Sequence, residues 1–189
     1  MHFAPLEIVG AMRVGIEAKS DQRGFFARTY CAHEFADQRI DAPMVQSSIS
    51  YNAQRGTVRG LHFQWPPSQE GKLVRCLRGG IWDVLLDLRP HSTSYLQHQA
   101  IPLDENNREA VYIPPGIAHG FQTLTDHTEV LYQMTDVYRP QLQSGVRWND
   151  PRFAIHWPLK EAKMSGRDAQ CPDFEQVTYE REYRQRHTA

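Results

Sequence analysis

The spacing of glycine and proline constrains this chain more than any other feature. Gly24, Pro43, Gly56, Pro66-Pro67, Gly71, Gly79-Gly80, Pro90, Pro102, Pro114-Pro115-Gly116, Pro140, Gly145, Pro151 and Pro158 interrupt it at short intervals. Proline breaks helix interiors and central strands, and glycine takes the tight-turn conformations, so no long regular element can run through these marks. The segments between them are short and rich in β-branched and aromatic residues, the pattern of a sandwich or barrel. Several alternate as half-buried strands do. From Val45 to Ser50, the residues Gln46, Ser48 and Ser50 share one face. From Ile81 to Leu88, Trp82, Val84, Leu86 and Leu88 form an apolar face with Asp83 and Asp87 opposite. From Glu129 to Met134, Val130, Tyr132 and Met134 share a face. Lys72–Leu77 and Ala110–Ile113 read as further strands. One internal stretch reads as a helix, Tyr30–Ile40, with Thr29 as its cap and Phe35, Ala36 and Ile40 as its buried side. The expectation is a mostly β chain.

A length of 189 residues with 40% apolar content fits one domain over 1–189, with 175–189 a polar tail that is either a short surface helix or frayed. The formal net charge of −1 argues against a nucleic-acid partner, which calls for a basic face. The N-terminus lacks the basic and apolar regions of a secretory signal, and no apolar run approaches a membrane span. Cys31, Cys76 and Cys171 are odd in number and free of a C-x-x-C pattern. Reduced thiols in a cytoplasmic protein are the expectation.

Five places along the chain carry residues suited to proton chemistry. In Arg59-Gly60-Leu61-His62-Phe63-Gln64, His62 has a side chain that titrates near neutrality and can take a proton from carbon. Parity sets a condition. In a regular strand Arg59 and His62 face opposite ways, so one pocket receives both only if Gly60 allows a bulge or the strand ends there. In Glu70-Gly71-Lys72, the lysine is either a solvated strand end or an ammonium placed against a ketone oxygen, where it would stabilise an enolate. Tyr112-Ile113-Pro114-Pro115-Gly116-Ile117-Ala118-His119 offers a rigid turn followed by a second histidine. Tyr132 is a structural strand tyrosine or a proton donor, and Arg167-Asp168 puts an acid beside a base.

Taken together and in order, these stretches resemble the dTDP-4-dehydrorhamnose 3,5-epimerase family over roughly residues 5–175. The resemblance rests on Asp21-Gln22-Arg23-Gly24-Phe25-Phe26, Arg59 to Gln64, Gly71-Lys72-Leu73-Val74-Arg75-Cys76, Pro114 to Phe121, Leu131-Tyr132 and Trp148-Asn149-Asp150. It implies a cupin-type jelly-roll β-sandwich with a few short helices, usually a homodimer that exchanges an N-terminal strand. It implies a nucleotide-sugar substrate, no cofactor and no metal. By the same resemblance His62 is the base, Asp168 the acid that orients it, Tyr132 the proton donor on the opposite sugar face and Lys72 the cation at the 4-keto oxygen. Arg23 and Arg59 grip diphosphate and sugar, and Phe26, Gln46, His119 and Arg167 fall on further ligand positions.

Several positions depart from the family pattern. Arg28 and Gln143 stand where acidic residues are expected, Gln46-Ser47-Ser48 replaces Gln-x-Asn, and the stretch between Ser48 and Arg59 is one residue longer. None touches the acid–base pair, but they leave open the nucleotide base, the sugar, and whether one carbon or two is inverted. Two other classes compete. A metal-dependent cupin would supply His-x-His where this chain has His62-Phe63-Gln64. A non-catalytic sugar-binding jelly roll would have no use for a positioned base, acid and ammonium together.

Overall fold

The computed structural model describes residues 1–40 and 43–187. Two facing antiparallel sheets form the frame of the molecule. The first contains β1 (His2–Pro5), β2 (Met12–Gly15), β5 (Gln46–Asn52), β7 (Lys72–Arg78), β10 (Ala110–Ile113) and β12 (Thr128–Met134), in the order β1-β2-β10-β7-β12-β5. The second contains β6 (Val58–Gln64), β8 (Gly80–Asp87), β9 (His98–Asp104), β11 (Ile117–Thr123) and β13 (Gln143–Gly145), in the order β13-β6-β11-β8-β9. A separate hairpin pairs β3 (Lys19–Asp21) with β4 (Gly24–Phe26). This is a cupin-like jelly roll, and the strands expected from alternation are all present, with shifts of one or two residues at their ends.

Three apolar layers follow from strand parity. Val74, Cys76, Val111 and Val130 of the first sheet meet Ile81, Leu85, Ile101, Leu103, Ile117 and Phe121 of the second, forming the interior of the sandwich. The other face of the second sheet, with Leu61, Phe63, Val84 and Leu86, is covered by the C-terminal segment. Both faces of β8 are therefore buried. Asp83 and Asp87, which stand opposite its apolar face, point into the sandwich and not to water. Each has partners there: Asp87 accepts from Arg89, Ser92 and Ser94, and Asp83 pairs with His119.

The helical segments differ from expectation in detail. The first helix, α1, runs only over Ala32–Asp37, and its N-cap is Cys31 rather than Thr29. Arg39 takes φ 63° and closes the helix: its N–H reaches the Ala36 carbonyl and the Ile40 N–H reaches the Phe35 carbonyl. That left-handed cap ends the helix and folds Ile40 back onto Phe35. Phe35 and Ile40 are buried against the outer face of the first sheet, while Ala36 is exposed. After the short α2 (Gly166–Ala169), the polar C-terminal stretch forms α3 (Gln176–His187). Tyr179 and Tyr183, one turn apart, are buried, and Tyr179 stacks on Trp65 at 4.8 Å between ring centres. Residues 188–189 of the expected tail lie outside the described residues.

Candidate active site

The two sheets part at the edge where β5, β12 and β7 face β6 and β13, leaving a cavity of about 370 Å³. That size is typical of small-molecule sites. From the first sheet come Gln46, Ser48, Lys72, Tyr132 and Met134; from the second come His62, Gln64 and Gln143, with Glu70 and Tyr138 contributed by loops. Strand pairing explains the first group. Tyr132 lies opposite Ser48 and Met134 lies opposite Gln46, so alternate residues of β5 and β12 point inward together.

The parity condition on Arg59 and His62 is met by a bulge. His62 pairs with His119 and Arg59 pairs with Phe121, so β6 spends one more residue than β11 over the same span. Gly60 makes this possible. Its φ is +111°, and a Cβ there would lie 2.6 Å from the Gly120 Cα and from the His119 carbonyl oxygen. No other residue type fits so close a crossing. The extra residue returns His62 to the interior face that Arg59 shares.

His62 Nε2 lies 2.7 Å from Asp168 Oδ1. With the carboxylate as acceptor, Nε2 carries the hydrogen and the lone pair belongs to Nδ1. Asp168 sits in the first turn of α2, where the Ser165 side chain accepts from its backbone N–H at 3.1 Å. Burial pulls the imidazole below its ordinary pKa; Asp168 opposes that pull, and Lys72 and His119 reinforce it. The result is a neutral ring at neutral pH, free to accept a proton. Tyr132 is shifted the other way. Burial and the charge of Asp83 push its phenol well above the usual value, against a smaller opposing effect of Arg59, so it stays protonated and can only donate.

Lys72 Nζ lies 2.9 Å from Glu70 Oε1, and the other carboxylate oxygen of Glu70 accepts from Gln64 Nε2 at 2.6 Å. Behind Tyr132, the ring of His119 stands edge-on to the phenol at 5.7 Å, with its Nε2 2.7 Å from Asp83 Oδ1. His119 is buried and does not line the cavity. Arg59 crosses from β6 to β5, donating from Nε to Asn52 Oδ1 at 2.7 Å, and borders a neighbouring hollow with Asp168. Arg167 is tied to the rim by donating to Gln143 Oε1 at 2.9 Å; the Tyr138 hydroxyl donates to the same oxygen. Arg23 and Phe26 lie apart from the cavity lining, exposed on the β3–β4 hairpin, where Arg23 pairs with Asp21. Among the described residues no three of His, Cys, Asp or Glu converge as metal ligands.

Glu70, Gln64, Tyr138 and Asp83 are among the contributors that carry no role in the sequence reading. Glu70 and Gln64 sit within two and eight residues of Lys72, but nothing in a single sequence says that a loop carboxylate folds back into the cavity. Asp83 had a signal, a charge within a strand whose other face is wholly apolar.

A jelly roll with a histidine on one sheet and a tyrosine and a lysine on the other, all lining one interior cavity, defines a class, the cupin-fold enzymes. Within that class the sequence model of the dTDP-4-dehydrorhamnose 3,5-epimerase family matches residues 5–176. A curated relative of that name from Methanothermobacter thermautotrophicus is 40% identical over 158 residues, covering 84% of each chain. The crystal structure of a dTDP-4-dehydrorhamnose 3,5-epimerase from Bacillus anthracis, with TDP and PPi bound, superposes with a TM-score of 0.89 at 35% identity, covering 92% of this chain and 99% of that one. A 3′-monoepimerase from Streptomyces bikiniensis in complex with dTDP-quinovose gives a TM-score of 0.85 at 31% identity, covering 96% of this chain and 90% of that one. The chain belongs to the dTDP-4-dehydrorhamnose 3,5-epimerase family and is an isomerase.

Proposed function

We propose that the chain inverts C3 and C5 of a dTDP-linked 4-keto-6-deoxyhexose, converting dTDP-4-dehydro-6-deoxy-D-glucose to dTDP-4-dehydro-L-rhamnose. His62 Nδ1 removes the proton next to the ketone. The electron pair moves into an enolate whose oxygen is held by the ammonium of Lys72, and Tyr132 returns a proton from the opposite face. Asp168 keeps the imidazole in the tautomer that presents Nδ1. The observation that carries this reading is the placement of His62 on one sheet and of Tyr132 and Lys72 on the other, all lining one cavity. A ring seated between the sheets has a base on one side and an acid on the other, which is what inversion requires. Arg59 and Arg167 supply positive charge near the mouth for a diphosphate.

Inversion at a single carbon is the second reading, favoured by the likeness to the monoepimerase from Streptomyces bikiniensis. The proposal also includes a cytoplasmic homodimer. Among the described residues no helix is long and apolar enough to cross a membrane. Arg23 and Phe26 project from the hairpin of one copy, and in an exchanged dimer they would serve the cavity of the other. The apolar side chains Ile49 and Tyr51, exposed along edge strand β5, and Val45 just before it would be covered in the same assembly.

Incubation with the dTDP-keto-sugar in heavy water, followed by NMR, tests the reaction. Deuterium should enter at C3 and C5 with inversion at both; entry and inversion at one carbon select the second reading, and entry at neither removes both. Tyr132→Phe should still exchange deuterium but lose net inversion. Unchanged inversion in that variant would assign the donor elsewhere.

A further inference from the structure

We propose that Glu70 receives the sugar hydroxyl next to the ketone and makes the site selective for keto-sugars that carry a hydroxyl at C3. This rests on the function proposed above and adds a specificity residue to it. Glu70 lines the cavity with a side chain only 9% exposed, beside Lys72 at 13%. A buried carboxylate here is unfavourable on its face. The cavity is to take a diphosphate ester and to develop an enolate, and a third negative charge repels both. Holding Lys72 uses only one of the acceptor sites of the carboxylate, so the ion pair alone does not account for the capacity that Glu70 keeps toward the cavity. A carboxylate is the better choice where a further donor arrives with the ligand, because hydrogen bonds to a charged acceptor are about twice as strong as neutral ones.

The geometry names that donor. An ionised carboxylate offers about four acceptor sites. Lys72 takes one on Oε1 at 2.9 Å and Gln64 takes one on Oε2 at 2.6 Å, which leaves acceptor capacity on a group that lines the cavity. The two oxygens of a hydroxyketone lie about one hydrogen-bond length apart, which is the spacing of Lys72 Nζ and Glu70 Oε1. A ketone oxygen placed on Lys72 therefore brings the neighbouring hydroxyl to Glu70. Only one side of a 4-keto-6-deoxyhexose can supply it. C3 bears a hydroxyl, whereas C5 bears the ring oxygen and the methyl group, and neither of those donates. Gln64 orients the carboxylate and is itself fixed, its Oε1 accepting from the Arg139 backbone N–H at 3.2 Å.

The test compares two substrates in wild type and in Glu70→Gln: the dTDP-4-keto-6-deoxyhexose and its 3-deoxy counterpart, each followed by deuterium entry from heavy water. Glu70→Gln should lower kcat/KM on the hydroxylated sugar by roughly 3- to 10-fold, the part of a charge-assisted hydrogen bond that a neutral acceptor does not supply. On the 3-deoxy sugar, which brings no hydroxyl to the carboxylate, the loss should be clearly smaller. An equal loss on both substrates would mean that Glu70 acts through Lys72, and no loss on either would mean that it does not meet the ligand; both outcomes overturn the proposal. Wild type that exchanges deuterium with neither sugar would remove the proposed function itself, and Glu70's role with it. Should Glu70→Gln fail to fold, Gln64→Ala carries the same comparison with the carboxylate intact. A loss confined to the hydroxylated sugar supports the proposal, and a uniform loss or none overturns it.

Discussion

The two histidine–aspartate pairs, His62–Asp168 and His119–Asp83, look alike at the level of distance and differ in everything else. Each joins Nε2 to Oδ1 at 2.7 Å, and the two histidines face each other across neighbouring strands. The side chain of His62 is 32% exposed and that of His119 is 3% exposed. Asp168 arrives on a short capped helix from outside the sheet, while Asp83 comes from β8 within it. The difference teaches that a carboxylate partner alone does not put a histidine within reach of a ligand. His62 keeps one edge of its ring toward a cavity, so the pair orients a lone pair that a ligand can reach. His119 keeps none, and its ring packs against the phenol of Tyr132. The inner pair still bears on the proposed chemistry, since the charge of Asp83 helps to hold Tyr132 protonated. In the proposed reaction one dyad presents the base and the other backs the acid.

The strongest way to break this comparison is to remove each histidine in turn. His62→Ala should lower deuterium entry into the keto-sugar by about 10²–10⁴-fold, the usual weight of a general base, with circular dichroism and a melting curve reporting a folded chain. Wild-type exchange would give the base role to another residue. His119→Ala should fail differently. It strands the carboxylate of Asp83, whose Oδ2 already lacks a partner among the described residues, in the sandwich interior. Breaking a buried pair from one side costs about 3–5 kcal/mol, readable by urea unfolding. His62→Ala should lose less in that assay, because water entering from the cavity can solvate Asp168. Equal losses in the two variants would erase the division between base and strut.

Asp168→Asn sharpens the comparison at a smaller scale. The amide can still touch Nε2 but no longer carries the charge that fixes the tautomer, so exchange should fall by roughly 10- to 100-fold, the worth of a charge-assisted hydrogen bond. Heavy-water NMR reads the change. A variant as active as wild type would show that packing alone orients His62.

How much of this was readable beforehand divides along physical lines. Strand alternation and turn residues brought out the sandwich, because burial on one face and turn conformations on either side write a local signature. The bulge at Gly60 was legible as a condition: Arg59 and His62 have the wrong parity for one pocket, and a glycine lies between them. Contacts between distant elements leave no such trace. The reach of Glu70 to Lys72 depends on a loop path, and the burial of Asp83 depends on which strand lies next to β8. Charge hid the docking of α3: Glu180, Arg181, Glu182 and Arg184 surround Tyr179 and Tyr183, although an aromatic pair at i, i+4 was the available signal. The short α1 was misjudged because the positive φ that ends it falls on Arg39, a residue with no special preference for it.

The smallest expected effect is also the most specific to the outer pair. Only a neutral His62 can accept a proton, so kcat/KM for exchange should rise with pH through the pKa of His62 and then level. Burial sets that pKa below the ordinary 6.5, which places the rising limb on the acid side of the ordinary histidine range. Tyr132, held well above 10, adds no falling limb near neutrality. Asp168 is the neighbour that raises the pKa of His62, so Asp168→Asn should move the limb to lower pH even as the plateau falls. The rate and the limb thus shift in a combination that a loss of folding would not produce, since unfolding lowers the plateau without making the base harder to protonate. A limb that stays in place, or moves toward higher pH, would mean that the proton controlling exchange is not on His62.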